Sequence, residues 1–162
     1  MSEQEKKLTL EEEFKARLNG DLQKNTLDFM AYLMENELLP NPVHTNCFDY
    51  LGEGVCTLNV FEPTASEGPL DIYFNGSGVC EPANFQVDNY LKEIAWANVN
   101  KCGQCHEGWK DCGGGDKMIF GKKYNTCHSP LCFANPDAKT FENIKKLVNI
   151  WKQNIVDRQL TK

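Results

Sequence analysis

No stretch of the chain approaches the ~18 consecutive apolar residues that a membrane helix needs. The first thirteen residues, Met1 to Glu13, are polar and acidic and lack the apolar core of a secretory signal. Both absences predict a cytoplasmic protein with no membrane partner, in a compartment where thiols stay reduced. Basic charge is also scarce: 17 Lys and Arg stand against 23 Asp and Glu, a formal net charge of −6. That balance argues against nucleic acid as a partner, because such binding rests on clustered cations that neutralise phosphates. The doublets Lys6-Lys7, Lys122-Lys123 and Lys145-Lys146 read as solvated faces. The familiar catalytic signatures are missing too. There is no Ser-His-Asp order, no His-Glu-x-x-His helix and no paired-carboxylate constellation, and Gly113-Gly114-Gly115 lacks the Lys-Ser/Thr ending of a phosphate loop. No internal repeat or low-complexity segment interrupts the chain.

What the chain does have is cysteine. Five of its eight cysteines and two of its three histidines fall between Trp96 and Pro136. At 162 residues the chain is long enough to bury about two thirds of its unfolded surface without covalent staples. A disulfide framework, the habit of small secreted domains, is therefore the weaker reading of these thiols.

The periodicity predicts one α+β domain over residues 1–162, with a helical part over 1–40 and a sheet, cysteine cluster and C-terminal helix over 43–162. Thr9 and Glu12 form a capping box ahead of Leu10, Phe14 and Leu18. Asp21 is expected to cap a second helix whose apolar face is Leu27, Met30, Leu33 and Met34, with the methionines as core filler, before Pro40 and Pro42. Val55 to Phe61 and Leu70 to Phe74 read as an antiparallel strand pair. Asp88 caps a third helix, with Leu91, Ile94, Ala95 and Asn98 on one face, that leads directly into Cys102. Lys117 to Phe120 and Leu131 to Ala134 are short strands, with Gly121-Lys122-Lys123 as the turn between them. Finally Asn135 caps and Pro136 opens a long helix, whose stripe of Phe141, Ile144, Val148, Trp151 and Ile155 should lie across a small, mostly antiparallel sheet.

Within the cysteine cluster, Cys102 and Cys105 have the spacing at which two thiolates from one turn bind a tetrahedral ion. A second pair, Cys127 and Cys132, follows after 21 intervening residues, with four residues between its members rather than the two of a zinc ribbon. The expected zinc ligands are Cys102, Cys105, Cys127 and Cys132, with Cys112, His106 and His128 as alternates for the fourth place. An iron-sulfur cluster draws on the same thiols. Cys102-Gly103-Gln104-Cys105-His106 also matches the covalent haem motif, with Met118 as an axial ligand on paper. The missing leader, the extra cysteines and the strand-rich setting count against haem. Thioredoxin-type exchange requires the first cysteine at a helix N-terminus, and here the pair comes after a helix. Away from the cluster, Cys56 reads as a small buried hydrophobe, and His44 with Cys47 as a minor second candidate.

Trp96-Ala97-Asn98-Val99-Asn100-Lys101-Cys102, Phe120-Gly121-Lys122-Lys123-Tyr124 and Asn135-Pro136-Asp137-Ala138 resemble a family of bacterial cysteine-containing proteins over the last two thirds of the chain. The resemblance implies no activity, cofactor or site. Residue chemistry alone leads to a binding module for a small molecule or a protein, stapled by one structural zinc ion. Its rival is a cysteine-based enzyme, working through an open zinc site or a reactive thiol with His106 or His128 as proton carrier. Nothing in the sequence fixes an oligomeric state.

Overall fold

The computed structural model describes residues 9–61, 69–75, 87–102 and 114–160. Over these residues the chain is α+β: four helices and a seven-stranded antiparallel sheet. None of the described helices is long and apolar enough to cross a membrane.

Helix α1 (Leu10–Arg17) starts as the sequence predicts. The Thr9 hydroxyl accepts from the Glu12 amide at 3.2 Å, and Glu12 Oε2 accepts from the Thr9 amide at 2.8 Å. The cap of α2 (Gly20–Glu35) differs from expectation, since Asn19 rather than Asp21 stands at the boundary and Gly20 takes a positive φ of 56°. Gln23 folds back across this turn and donates to the Leu18 and Lys15 carbonyls at 2.7 and 3.0 Å, satisfying acceptors at the end of α1. The methionine reading of α2 also changes. Thr26, Phe29 and Leu33 are its buried residues, Met30 is only partly buried, and Met34 is 49 % exposed. Phe29 takes the central place, its ring 5.6 Å from that of Phe141.

The strands are β1 (Leu39–Pro40), β2 (Cys47–Tyr50), β3 (Glu53–Val60), β4 (Leu70–Phe74), β5 (Val99–Lys101), β6 (Gly115–Ile119) and β7 (Lys122–Ala134). The sheet order is β1-β2-β3-β4-β7-β5, with β6 also paired to β7. The hairpin of β3 and β4 falls where the alternation places it, whereas β1 and β2 had no clear sequence signal. Of two tight turns, the first escaped it and the second was placed one residue late. Leu51-Gly52 joins β2 to β3 and Phe120-Gly121 joins β6 to β7, each with both residues at positive φ. Such turns usually carry Asn or Gly at the first position, so Leu and Phe there hide them. The second turn thus lies one residue before the predicted Gly121-Lys122-Lys123, and Lys122 and Lys123 already belong to β7.

Helix α3 (Asn89–Ala97) is capped by Asp88, whose carboxylate accepts from the Tyr90 amide at 2.8 Å. It does not lead directly into Cys102, because β5 intervenes. Helix α4 (Ala138–Leu160) starts two residues later than expected, with Asp137 accepting from the Thr140 amide at 2.8 Å. Asn135 instead turns the chain at φ 44° and accepts from the Leu70 amide.

The buried stripe of α4 covers one face of the sheet. Phe48, Cys56, Leu58, Ile72, Phe74, Leu131 and Phe133 meet Ile144, Val148, Trp151 and Ile155 there in a single cluster that also takes in Phe14, Leu18, Phe29 and Leu33. The helical hairpin therefore shares the core of the sheet. Trp151 is fully buried, packs its ring against that of Phe74 at a tilt of 53° with centroids 4.6 Å apart, and donates its indole N–H to the Asn75 carbonyl at 3.1 Å. Trp151→Ala should lower unfolding free energy by about 3 to 5 kcal/mol, as read from urea titration. Trp151→Phe, which keeps a ring but loses the donor, should cost clearly less.

Candidate functional site

Strand β7 carries both Cys127 and Cys132: Cys132 falls in the strand expected over Leu131 to Ala134, and the same strand extends back through Cys127. Its length, thirteen residues, lets it pair with three strands. One edge pairs first with β6 and then with β4, while the other edge pairs with β5. Thr126 is opposite Gly115 on one side and Lys101 on the other, so β5 ends and β6 begins level with each other on opposite edges of β7.

Between these pairings β7 bulges. Val99 is opposite Leu131 and Lys101 opposite Thr126, so two steps along β5 match five along β7 and three residues of β7 are extra. Pro130, which has no N–H to give a ladder, is within that stretch. The carbonyls thrown out of register are taken up by side chains from both flanking strands. Lys117 Nζ on β6 donates to the Cys127 carbonyl at 2.9 Å and to the His128 carbonyl at 3.4 Å. The Thr126 hydroxyl also donates to the Cys127 carbonyl at 2.9 Å. From β5, Asn100 Nδ2 donates to the Ser129 carbonyl at 3.0 Å, and the Ser129 hydroxyl donates to Asn75 Oδ1 at 3.3 Å.

Strand alternation then fixes which thiols share a face. The Cys102 amide donates to the Asn125 carbonyl at 2.9 Å, which puts Cys102 opposite Asn125 and diagonal to Cys127. Both point to the face away from α4, since Thr126 and Leu131 occupy the core face. Diagonal neighbours on an antiparallel pair have Cα atoms roughly 7 to 8 Å apart. That exceeds the usual Cα separation of a disulfide. Cys102 is exposed and Cys127 half-buried.

Cys132 is on the same face but further along. Its amide donates to the carbonyl of Asn98, the C-cap of α3, at 3.0 Å, and the whole of β5 lies between Asn98 and Cys102. The structure therefore does not bring Cys132 to Cys102. Instead Cys132 is opposite Tyr73, whose hydroxyl donates to Asp71 at 3.4 Å. Burial, and then the Asp71 carboxylate, push the Cys132 thiol up from 9.0 to about 11, while its hydrogen bond with Tyr73 opposes the rise. Burial raises the Tyr73 phenol as well.

Of the other predicted site residues, His128 is exposed on the bulge, and Cys105, His106 and Cys112 lie outside the described residues. Cys102 follows strand β5; the residues after it, from which a thioredoxin-type helix would have to start, lie outside the described residues. Met118, the paper haem ligand, is on β6 and 37 % exposed. Cys56 is fully buried, and burial pushes its thiol far up, as a small core residue requires. Cys47 is engaged in the sheet, its sulfur 3.2 Å from the Thr57 hydroxyl, while His44 is exposed in the preceding turn. Among the described residues, no three His, Cys, Asp or Glu side chains stand close enough together to hold a metal ion unaided. Sequence reasoning missed Lys117 and Asn100. The one available signal was Pro130 inside a strand-like run, which marks a bulge but not the residues that clamp it. Comparison with protein-family models, curated proteins and solved structures returns no match.

The raised Cys132 thiol makes stability depend on pH. The folded protein holds this proton more tightly than the unfolded chain, so the stabilisation is complete below about 9 and is lost as pH rises toward about 11. The urea midpoint should fall across that window, and Cys132→Ser should remove part of the fall. Identical slopes for the two proteins would place the titration elsewhere.

Proposed function

We propose that Cys102 and Cys127, with Cys105 from the C-x-x-C spacing, hold one structural zinc ion that staples the connection between β5 and β6 to the centre of β7. What supports this reading is the strand register, which sets Cys102 beside Asn125, two residues before Cys127 on the neighbouring strand. The fourth ligand comes from Cys112 or His106. Cys132 is left out of the set because of its distance from Cys102 and its engagement with Tyr73. A cysteine-dominated set puts so much negative charge on zinc that the ion becomes a poor Lewis acid, which favours a structural role over a catalytic one. The stapled edge adjoins a polar sheet face that includes Thr57, Tyr73 and Asn75, and we assign the chain as a binding module for a small molecule or a protein.

Elemental analysis of protein purified without added metal should find about one zinc per chain, as a four-ligand site requires. Cys102→Ser and Cys127→Ser should each lose most of it, and Cys132→Ser should retain it. A metal-free wild type that is fully folded would overturn the reading, as would full zinc occupancy in both of the first two variants.

A further inference from the structure

Where β7 ends, a cleft of about 230 Å³ lies between α3 and the start of α4. The backbone on both sides of it is fixed by asparagines. Asn135 leaves β7 at φ 44° and exchanges hydrogen bonds with Leu70, its amide donating to the Leu70 carbonyl at 2.8 Å and its Oδ1 accepting from the Leu70 amide at 3.0 Å. Asn98, the C-cap of α3, donates from Nδ2 to the Ile94 carbonyl at 2.8 Å and accepts the Cys132 amide on its own carbonyl. Ile94, Phe133 and Pro136 give the lining its apolar part, while Asn98, Asp137 and Thr140 contribute polar groups. A cavity of roughly 150 Å³ accepts one benzene ring, so this one has room for a ring and a short chain.

Two helix ends of opposite polarity meet here. The positive N-terminus of α4 is already answered by Asp137, whose carboxylate accepts from the Thr140 amide at 2.8 Å. The negative C-terminus of α3 has no basic residue in its last turn. Among the described residues that line the cleft, Asp137 is the one charged side chain. Hydrogen bonds from Thr140 hold its carboxyl below the usual carboxylate range, so it is ionised at neutral pH. Lys139, on the same turn of α4, extends over the Tyr90 ring, 5.6 Å from its centroid.

Independently of the zinc reading, we propose that this cleft binds a small primary ammonium compound with a compact apolar body. An ammonium group has three N–H donors. The Asp137 carboxylate, the Asn98 Oδ1 and the Thr140 hydroxyl are the acceptors that the lining offers them, and the apolar body rests on Ile94, Phe133 and Pro136. A carboxylate ligand of the same shape meets the Asp137 charge and is repelled, and a neutral one loses the charge-assisted bond.

The probes are phenethylammonium, 2-phenylethanol and 3-phenylpropanoate, three molecules of similar shape and different charge, titrated into the full chain labelled with nitrogen-15. Phenethylammonium should shift the amide signals of Ile94, Asn98, Asp137 and Thr140. The alcohol should bind at least about fivefold more weakly, the scale of one exposed charge contact, and the carboxylate should leave these signals unmoved. Asp137→Asn keeps a good capping residue and should lower the affinity for phenethylammonium to that for the alcohol. Shifts centred away from the cleft, or none, would overturn the site. Equal binding of ammonium and alcohol, or an Asp137→Asn protein that binds phenethylammonium as the wild type does, would overturn the assigned ligand class.

Discussion

The structure depends on one strand pairing with three others. Strand β7 gives its C-terminal half to β4, where Leu131 and Phe133 enter the core, and its N-terminal half to β6, where it closes a hairpin on Phe120-Gly121. Its opposite edge carries β5 across both halves. The two halves are not in one register, and the bulge at residues 127–130 absorbs the difference. Unpaired carbonyls in such a bulge are costly when they are partly removed from water, so Lys117 and Asn100, which bond them, are part of what holds the fold.

This arrangement divides the sheet into two faces with different chemistry. On one face α4, α1 and α2 bury a continuous apolar cluster centred on Trp151. The other face presents short polar side chains that bond to one another: Cys47 to Thr57, Thr57 to Asn75, Ser129 to Asn75, Asn46 to Asn59 and Tyr73 to Asp71. Cys102, Cys127 and Cys132 belong to this second face. There a thiol can meet an ion or a ligand without opening the core, and Cys56, on the first face, shows the alternative of a thiol used only for packing.

Much of this was legible in the sequence. The capping box at Thr9, the hairpin of β3 and β4, the Asp88 cap and the stripe of α4 follow from local rules that tertiary contacts did not override. The failures have physical causes. Met34 has the right spacing for a buried face, but Phe29 and Leu33 fill the available space and leave it in solvent. Leu51 and Phe120 occupy turn positions that normally carry Asn or Gly, so the first turn gave no signal and the second was placed one residue late. The segment Cys127-His128-Ser129-Pro130 fell outside the expected strands because its proline and polar residues break the alternation, whereas a bulge accommodates them within a strand. For the site, spacing alone grouped Cys127 with Cys132. Register, which depends on the three extra residues of β7, sets Cys102 near the start of the bulge and Cys132 at its far end.

The central claim is that these two thiols share one ion. Its most direct test is NMR of the protein loaded with cadmium-113, in which three-bond couplings run from the metal through sulfur to the cysteine Hβ protons. The account predicts a single cadmium resonance, in the range of thiolate-rich coordination, coupled to the Hβ protons of both Cys102 and Cys127. A cadmium resonance coupled to neither of them, or to only one, would contradict it.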